Sequence, residues 1–165
     1  MKELTELIKE ITPHYNNYKQ QRGKINGTEL LLIMWDIGDL IKKYIEETKV
    51  PPHNLFRQIY GKSEGKKNIN QKSYIAREFL GRCYRVRNIF HDKENIKTLL
   101  PNVIDITSFR EAMPFFDNPN YKLNEKDFKE LILLLNSKKR QCRLSHFLIL
   151  KRKDSIIFQI PELKI

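Results

Sequence analysis

Cysteine is scarce in this chain. Cys83 and Cys142 are the only two among 165 residues, and they lie far apart. No Cys-x-x-Cys pair exists, which excludes a zinc ribbon or finger built from cysteines and leaves no disulfide framework. A reducing, cytoplasmic compartment is therefore expected. Long apolar runs are also missing. The longest, Leu30 to Trp35, is far too short to span a bilayer, so no membrane partner is expected. The first ten residues hold Glu3, Glu6 and Glu10 and no apolar block, so no signal peptide is expected. Acidic groups are the third shortage: 20 Asp and Glu stand against 31 Lys and Arg, a net charge of +11. That balance argues against an acid-rich enzyme cleft and for a polyanionic partner. Repeats and low-complexity tracts are absent, while hydrophobic residues at 40% suffice for a real core.

The positive excess is local. Residues 1–56 are neutral overall and residues 98–137 carry a net of −2, whereas residues 57–97 and residues 138–153 each carry +7. The second of these blocks contains no acid at all. Solvated faces usually mix both signs, so the two blocks are the places to look for a partner.

Apolar spacing predicts a chain of helices. Residues 3–22 carry Leu4, Leu7, Ile8, Ile11, Tyr15 and Tyr18 on one side, with Pro13 expected to kink or split the element. Thr28 is a candidate N-cap for a helix over 29–47. There Leu30, Met34, Ile37, Ile41, Tyr44 and Ile45 form a stripe that Leu31, Ile33 and Leu40 widen. A helix so broadly apolar belongs at the centre of a fold. Pro51-Pro52 ends it, a short helix over 53–60 follows, and residues 61–68 read as a loop. A long helix is predicted over 71–90 with Asn70 as its cap. A short one is expected over 93–100. Ser108 and Glu111 fit a capping box for a helix that Pro114 shortens. Asn124 and Asp127 mark the start of a helix through Leu135. After it, residues 144–150 and 155–160 are β-prone runs flanking Lys151-Arg152-Lys153-Asp154, which predicts a β-hairpin. The expected fold is mainly α: a helical domain over 1–137, with a basic segment and hairpin over 138–165 packed on it.

The 71–90 helix is the focus of the first basic block. At 100° per residue, Ile75, Phe79, Cys83, Val86 and Phe90 fall within about 80° of one another and form a core stripe. Tyr74, Arg77, Gly81, Tyr84, Arg85 and Asn88 stand opposite. This is the chemistry a groove-reading helix needs. Arg can take guanine bidentately and Asn can take adenine, while Tyr reaches phosphate or sugar. Gly81 would let the backbone approach DNA closely, at a cost of roughly 1 kcal/mol in helix stability. Lys72 and Ser73 fall where free N–H groups favour phosphate, and Lys62, Lys66 and Lys67 can clamp the sugar–phosphate backbone. Arg82 points to the core side and is expected to pair with Asp36, Asp39 or Glu78. A short helix, a loop and a longer basic helix is the helix-turn-helix order, here with a loop longer than the usual tight turn. The tail hairpin could act as a wing through Lys151, Arg152 and Lys153, with Lys138, Lys139, Arg140 and Arg143 following the DNA backbone.

Several of these residues match a known pattern. The stretch Glu29-Leu30-Leu31-Leu32-Ile33-Met34-Trp35-Asp36-Ile37-Gly38, followed by Ile41, resembles the central helix of the N-terminal domain of YhcG-type proteins, with its aromatic–acid–Ile–Gly signature. Leu80, Arg82, Cys83 and Val86 are similar to its Leu-x-Arg-Met-x-x-Phe helix, although Gly81 replaces the family's aromatic. Ile106 to Glu111, reaching Pro114, is similar to its next helix. The resemblance covers roughly residues 5–117. It implies a helix-turn-helix-like DNA-binding domain of prokaryotic defence or mobile-element proteins. In that family a PD-(D/E)xK nuclease domain normally follows, and residues 136–165 are too few to hold one.

Catalytic chemistry finds little purchase. Glu162-Leu163-Lys164 matches the Glu-x-Lys of such nucleases, but its nearest upstream acid, Asp154, is too close for a metal site within an α/β core. Arg85 and His91 resemble the Arg-x4–6-His of all-helical HEPN ribonucleases, which need no metal. His14, His53 and His146 are scattered and suggest no metal site. Gly61-Lys62-Ser63 ends like a Walker A motif without its upstream glycine or strand. No cofactor is expected. The expected partner is double-stranded DNA, bound by a possible homodimer. Two alternatives stay open: a metal-independent ribonuclease, and an accessory or antitoxin subunit that docks on a separately encoded nuclease through the apolar face of residues 125–135.

Overall fold

A computed structural model of the chain describes residues 3–63, 75–100, 106–116 and 124–135. These residues are mainly helical. They form seven helices and, among the described residues, no strand. The chain divides into two compact units, Met1–Ile106 and Thr107–Ile165. The expected boundary at 137/138 lies outside the described residues, as does the expected tail hairpin.

In the first unit, α1 spans Leu4–Gln21 and is a single helix despite Pro13. The proline lies on the exposed side, where water can take the Lys9 carbonyl that has lost its N–H partner, so the element continues. Its start is held by the Glu3 amide, which donates to the Glu6 carboxylate at 3.3 Å. Helix α2, Gly27–Thr48, begins earlier than predicted. Asn26 is its cap: the Asn26 side-chain oxygen accepts from the Glu29 amide at 2.9 Å. Thr28 is instead buried, and its hydroxyl donates to the Leu100 carbonyl. The helix closes on Lys49, whose left-handed backbone (φ 58°) aims its amide at the Ile45 carbonyl, 2.8 Å away.

Three further helices complete this unit: α3, Pro52–Ser63; α4, Arg77–Ile89; and α5, Lys93–Leu99. Helix α2 is the hub, with α1, α4 and α5 packed on it, while α3 packs on α4 and α1. Leu30, Leu31, Met34, Ile37 and Ile41 of α2 are buried, with Leu7 and Ile11 of α1, Leu55 and Ile59 of α3, and Ile96 of α5. The predicted start of the basic helix needs correction. Ile75 and Ala76 are not helical, and Ala76 is the cap, its carbonyl accepting from Phe79 and Leu80 at 3.0 and 3.1 Å. Ile75 and Leu80 hold the two apolar positions that flank a helix start, and both are buried. The apolar rhythm therefore runs on past the true helix end. Asn70, the expected cap, lies outside the described residues.

The second unit contains α6, Ile106–Phe116, and α7, Glu125–Leu135. Ser108 does not open α6. It is the helix's third residue and is buried, and Pro114 is carried inside the helix rather than ending it. The start of α7 agrees with its sequence: the Asp127 amide donates to the Asn124 side chain at 2.9 Å, and the Asn124 amide donates to the Asp127 carboxylate at 3.3 Å. Phe109 and Phe128 meet edge to face at 5.3 Å in the core of this unit, among Ala112, Met113, Leu131 and Ile132.

Candidate nucleic-acid interface

What α4 offers to a partner depends on how α2 holds it. The stripe of Phe79, Leu80, Cys83, Val86 and Ile89 is buried, and so are Ile75 and Phe90 at its ends. The close approach is made at Gly38. A Cβ built there would collide with the Cys83 carbonyl and lie 2.8 Å from the Arg87 Cβ, so only glycine lets the two backbones come this near.

Polar bonds run along the same seam. The Arg87 side chain donates to the Asp39 carboxylate at 2.7 Å, with the two side chains only 17% and 16% exposed, and Lys43 reaches the other carboxylate oxygen at 2.8 Å. Burial by itself would raise the Asp39 carboxyl. Hydrogen bonds from Lys43 and Arg87, reinforced by their charges, outweigh it and hold the group below its ordinary value. The Trp35 indole N–H donates to the Phe90 carbonyl at 2.9 Å, and Asp36 pairs with Lys93 at 2.6 Å. Arg87 also lies over the Trp35 ring, 4.7 Å from its centre. The segment Trp35-Asp36-Ile37-Gly38-Asp39 is thus the fastening of α4 to α2, and each of its residues takes part by bond, burial or lack of a side chain.

With one side fastened, α4 exposes Arg77, Glu78, Arg85 and Asn88, and leaves Gly81, Arg82 and Tyr84 half-buried. The Arg77 guanidinium lies over the Tyr60 ring of α3 at 5.3 Å, and Tyr84 meets Phe56 of α3 edge-on at 6.1 Å. Gly81 also faces Phe56, and a Cβ there would sit 3.8 Å from it, an ordinary contact. Exposed Arg57 adds a further cation on α3.

Four of the expected binding residues, Arg77, Tyr84, Arg85 and Asn88, therefore share one side of one helix. The backbone of Lys62 lies near the end of α3. Lys66, Lys67, Lys72, Ser73 and Tyr74 lie outside the described residues, as do Lys138, Lys139, Arg140, Arg143, Lys151, Arg152 and Lys153. Helix α4 starts at Arg77, five and four residues beyond Lys72 and Ser73 in the sequence. Arg82 pairs with none of Asp36, Asp39 and Glu78 among the described residues. Asp39 is taken by Arg87 and Asp36 by Lys93. Sequence reasoning missed Arg87 as the structural arginine and Glu78 as an exposed acid within the basic face.

The rival groups are less organised. His91 is exposed beyond the end of α4, whereas Arg85 lies within the helix. Among the described residues no group of three His, Cys, Asp or Glu side chains could hold a metal ion, and no helix is long and apolar enough to cross a membrane. On α7, Phe128, Leu131 and Ile132 are buried, and Leu133 is 56% exposed. Comparison with protein-family models, with curated proteins and with solved structures finds no match to this chain.

Proposed function

We propose that this protein binds double-stranded DNA, with the Arg85 and Asn88 side of α4 laid in the major groove and α3 alongside it, against Arg77, Gly81 and Tyr84. One observation carries the reading. Arg77, Arg85 and Asn88 are exposed along one side of a helix whose other side is fixed to α2. These are the side chains that take guanine and adenine edges bidentately, and they stand on an element rigid enough to present them. The charge of residues 57–97 supports it by attracting the polyanion, and the second block, Lys138 to Lys153, adds phosphate contacts that do not depend on sequence. Likeness to the helical domain of YhcG-type proteins supports the same reading and suggests a prokaryotic defence or mobile-element setting.

Selection from a random duplex pool at physiological salt tests it. An enriched site is expected, and a palindromic one would indicate a homodimer. If six to eight Lys and Arg meet phosphates, log K falls against log salt with a slope of about −5 to −7. Arg77→Ala or Arg85→Ala should cost roughly 1–3 kcal/mol and relax base preference, whereas Lys66→Ala or Lys67→Ala should weaken all sequences alike. Groove readout is refuted if all four changes act identically on selected and random duplexes. RNA cleavage in EDTA that disappears in His91→Ala would replace the reading with a ribonuclease.

A further inference from the structure

The exposed side of α4 contains one group that does not suit a phosphate-binding surface. Glu78 is exposed, is the second residue of the helix, and makes no ion pair or hydrogen bond among the described residues. Arg82, one turn on, does not neutralise it. A bare carboxylate on a face that approaches DNA repels the backbone, so it weakens binding to every sequence equally. An acid in the first helical turn does favour the helix dipole, but that benefit would be the same on a side turned away from the ligand.

The position suggests a different use. Glu78 and Arg85 are seven residues apart, which places them about 20° apart in azimuth and about 10.5 Å apart along the helix. They therefore stand in one row, facing the same way, with Arg85 about two to three base pairs further along a groove whose bases rise about 3.4 Å per step. A carboxylate has no donor. The base edge it accepts from in the major groove is the cytosine N4 amine.

We infer that Glu78 selects cytosine at one position of the bound duplex, offset from the base read by Arg85. This rests on the groove reading proposed above. The carboxylate makes random duplexes bind less well and one sequence comparatively better, which is how a repulsive group creates specificity.

Glu78→Gln and Glu78→Ala test the assignment, in the full chain, with folding checked by circular dichroism. The site enriched by the unaltered protein is resynthesised with each base in turn at every position, and affinities are measured by fluorescence anisotropy. Both variants should bind random duplex more tightly than the parent. Both should reduce the preference for cytosine at one position by about fivefold or more, as expected for one lost base contact. Arg85→Ala should relax a different position, two to three base pairs away. Unchanged base preferences in both variants, with a site still enriched by the parent, would overturn the role of Glu78 and leave groove reading standing. A parent protein that enriches no site would overturn both.

Discussion

Two glycines on facing helices should respond to the same substitution with opposite signs. Gly38→Ala puts a methyl group against the Cys83 carbonyl and 2.8 Å from the Arg87 Cβ. Neither obstacle is the far end of a flexible side chain, so α2 and α4 must move apart. Alanine gains about 1 kcal/mol over glycine in helix propensity. Overpacking costs about 1–3 kcal/mol, or more where backbone must shift. Because backbone must shift here, a cost of about 2–3 kcal/mol applies, and the balance is a loss of about 1–2 kcal/mol. For a unit of this size each kcal/mol lowers Tm by about 4–8 °C, so a fall of roughly 5–15 °C is expected. Gly81→Ala meets only the Phe56 ring at 3.8 Å, and should gain close to the full propensity difference, about 1 kcal/mol. Thermal and urea melts followed by far-ultraviolet circular dichroism read both changes. If Gly38→Ala is neutral or stabilising, α2 and α4 do not approach one another as described, and the account of the seam fails.

Other consequences of the seam can be measured directly. Arg87→Met should cost about 1–3 kcal/mol by leaving a largely buried carboxylate with only the exposed Lys43 as its charged partner. It should also red-shift the fluorescence of Trp35, the only tryptophan in the chain; an unshifted spectrum would show that Arg87 does not cover the ring. Asp39 has a native pKa below its ordinary value of 3.8. Its stabilisation is therefore complete at neutral pH and is lost as pH falls below that value toward the native one. Asp39→Asn should flatten this acid limb of the stability curve, and an unchanged limb would count against the pairing. Burial pushes the Cys83 thiol well above its ordinary value, so a maleimide should label it only after denaturation; rapid labelling of native Cys83, checked in a Cys142→Ser background, would contradict its place in the core.

The core was more legible in the sequence than its fastenings. Ile75, Phe79, Cys83, Val86 and Phe90 share one helical stripe and all are buried, because apolar periodicity reports directly on which side faces inward. The centrality of α2 followed from the breadth of its apolar surface. Helix starts were harder. Ile75 keeps the rhythm of α4 although it lies outside the helix, and Ser108 imitates a cap while buried inside α6. The choice between Arg82 and Arg87 was beyond the pattern altogether. They flank the core stripe of α4 on opposite sides, at about 60° and 80° from its centre. Only the side on which α2 lies decides which of them meets Asp39, and a single helix does not encode its neighbour's side. The outward arginines and Asn88 were legible for the same reason as the core: they are what the stripe leaves over. In the sequence Glu78 reads only as a possible partner for Arg82, because it stands at the margin of that remainder.

Trp35, Asp36 and Asp39 each bond to α4 or its sequel in the stretch from Arg87 to Lys93, while its first turn meets α1 through rings, with Phe79 lying 5.1 and 4.7 Å from Tyr15 and Tyr18. Aromatic contact tolerates sliding; a hydrogen bond to a carboxylate or carbonyl tolerates little rotation. The helix is accordingly keyed at its far end like a shaft in a slot, and the compass bearing of Arg77 and Arg85 is set by residues they never touch. A substitution at the key would swing every outward side chain together, so under the proposed function damage remote from a bound duplex would present as altered recognition in addition to lost stability.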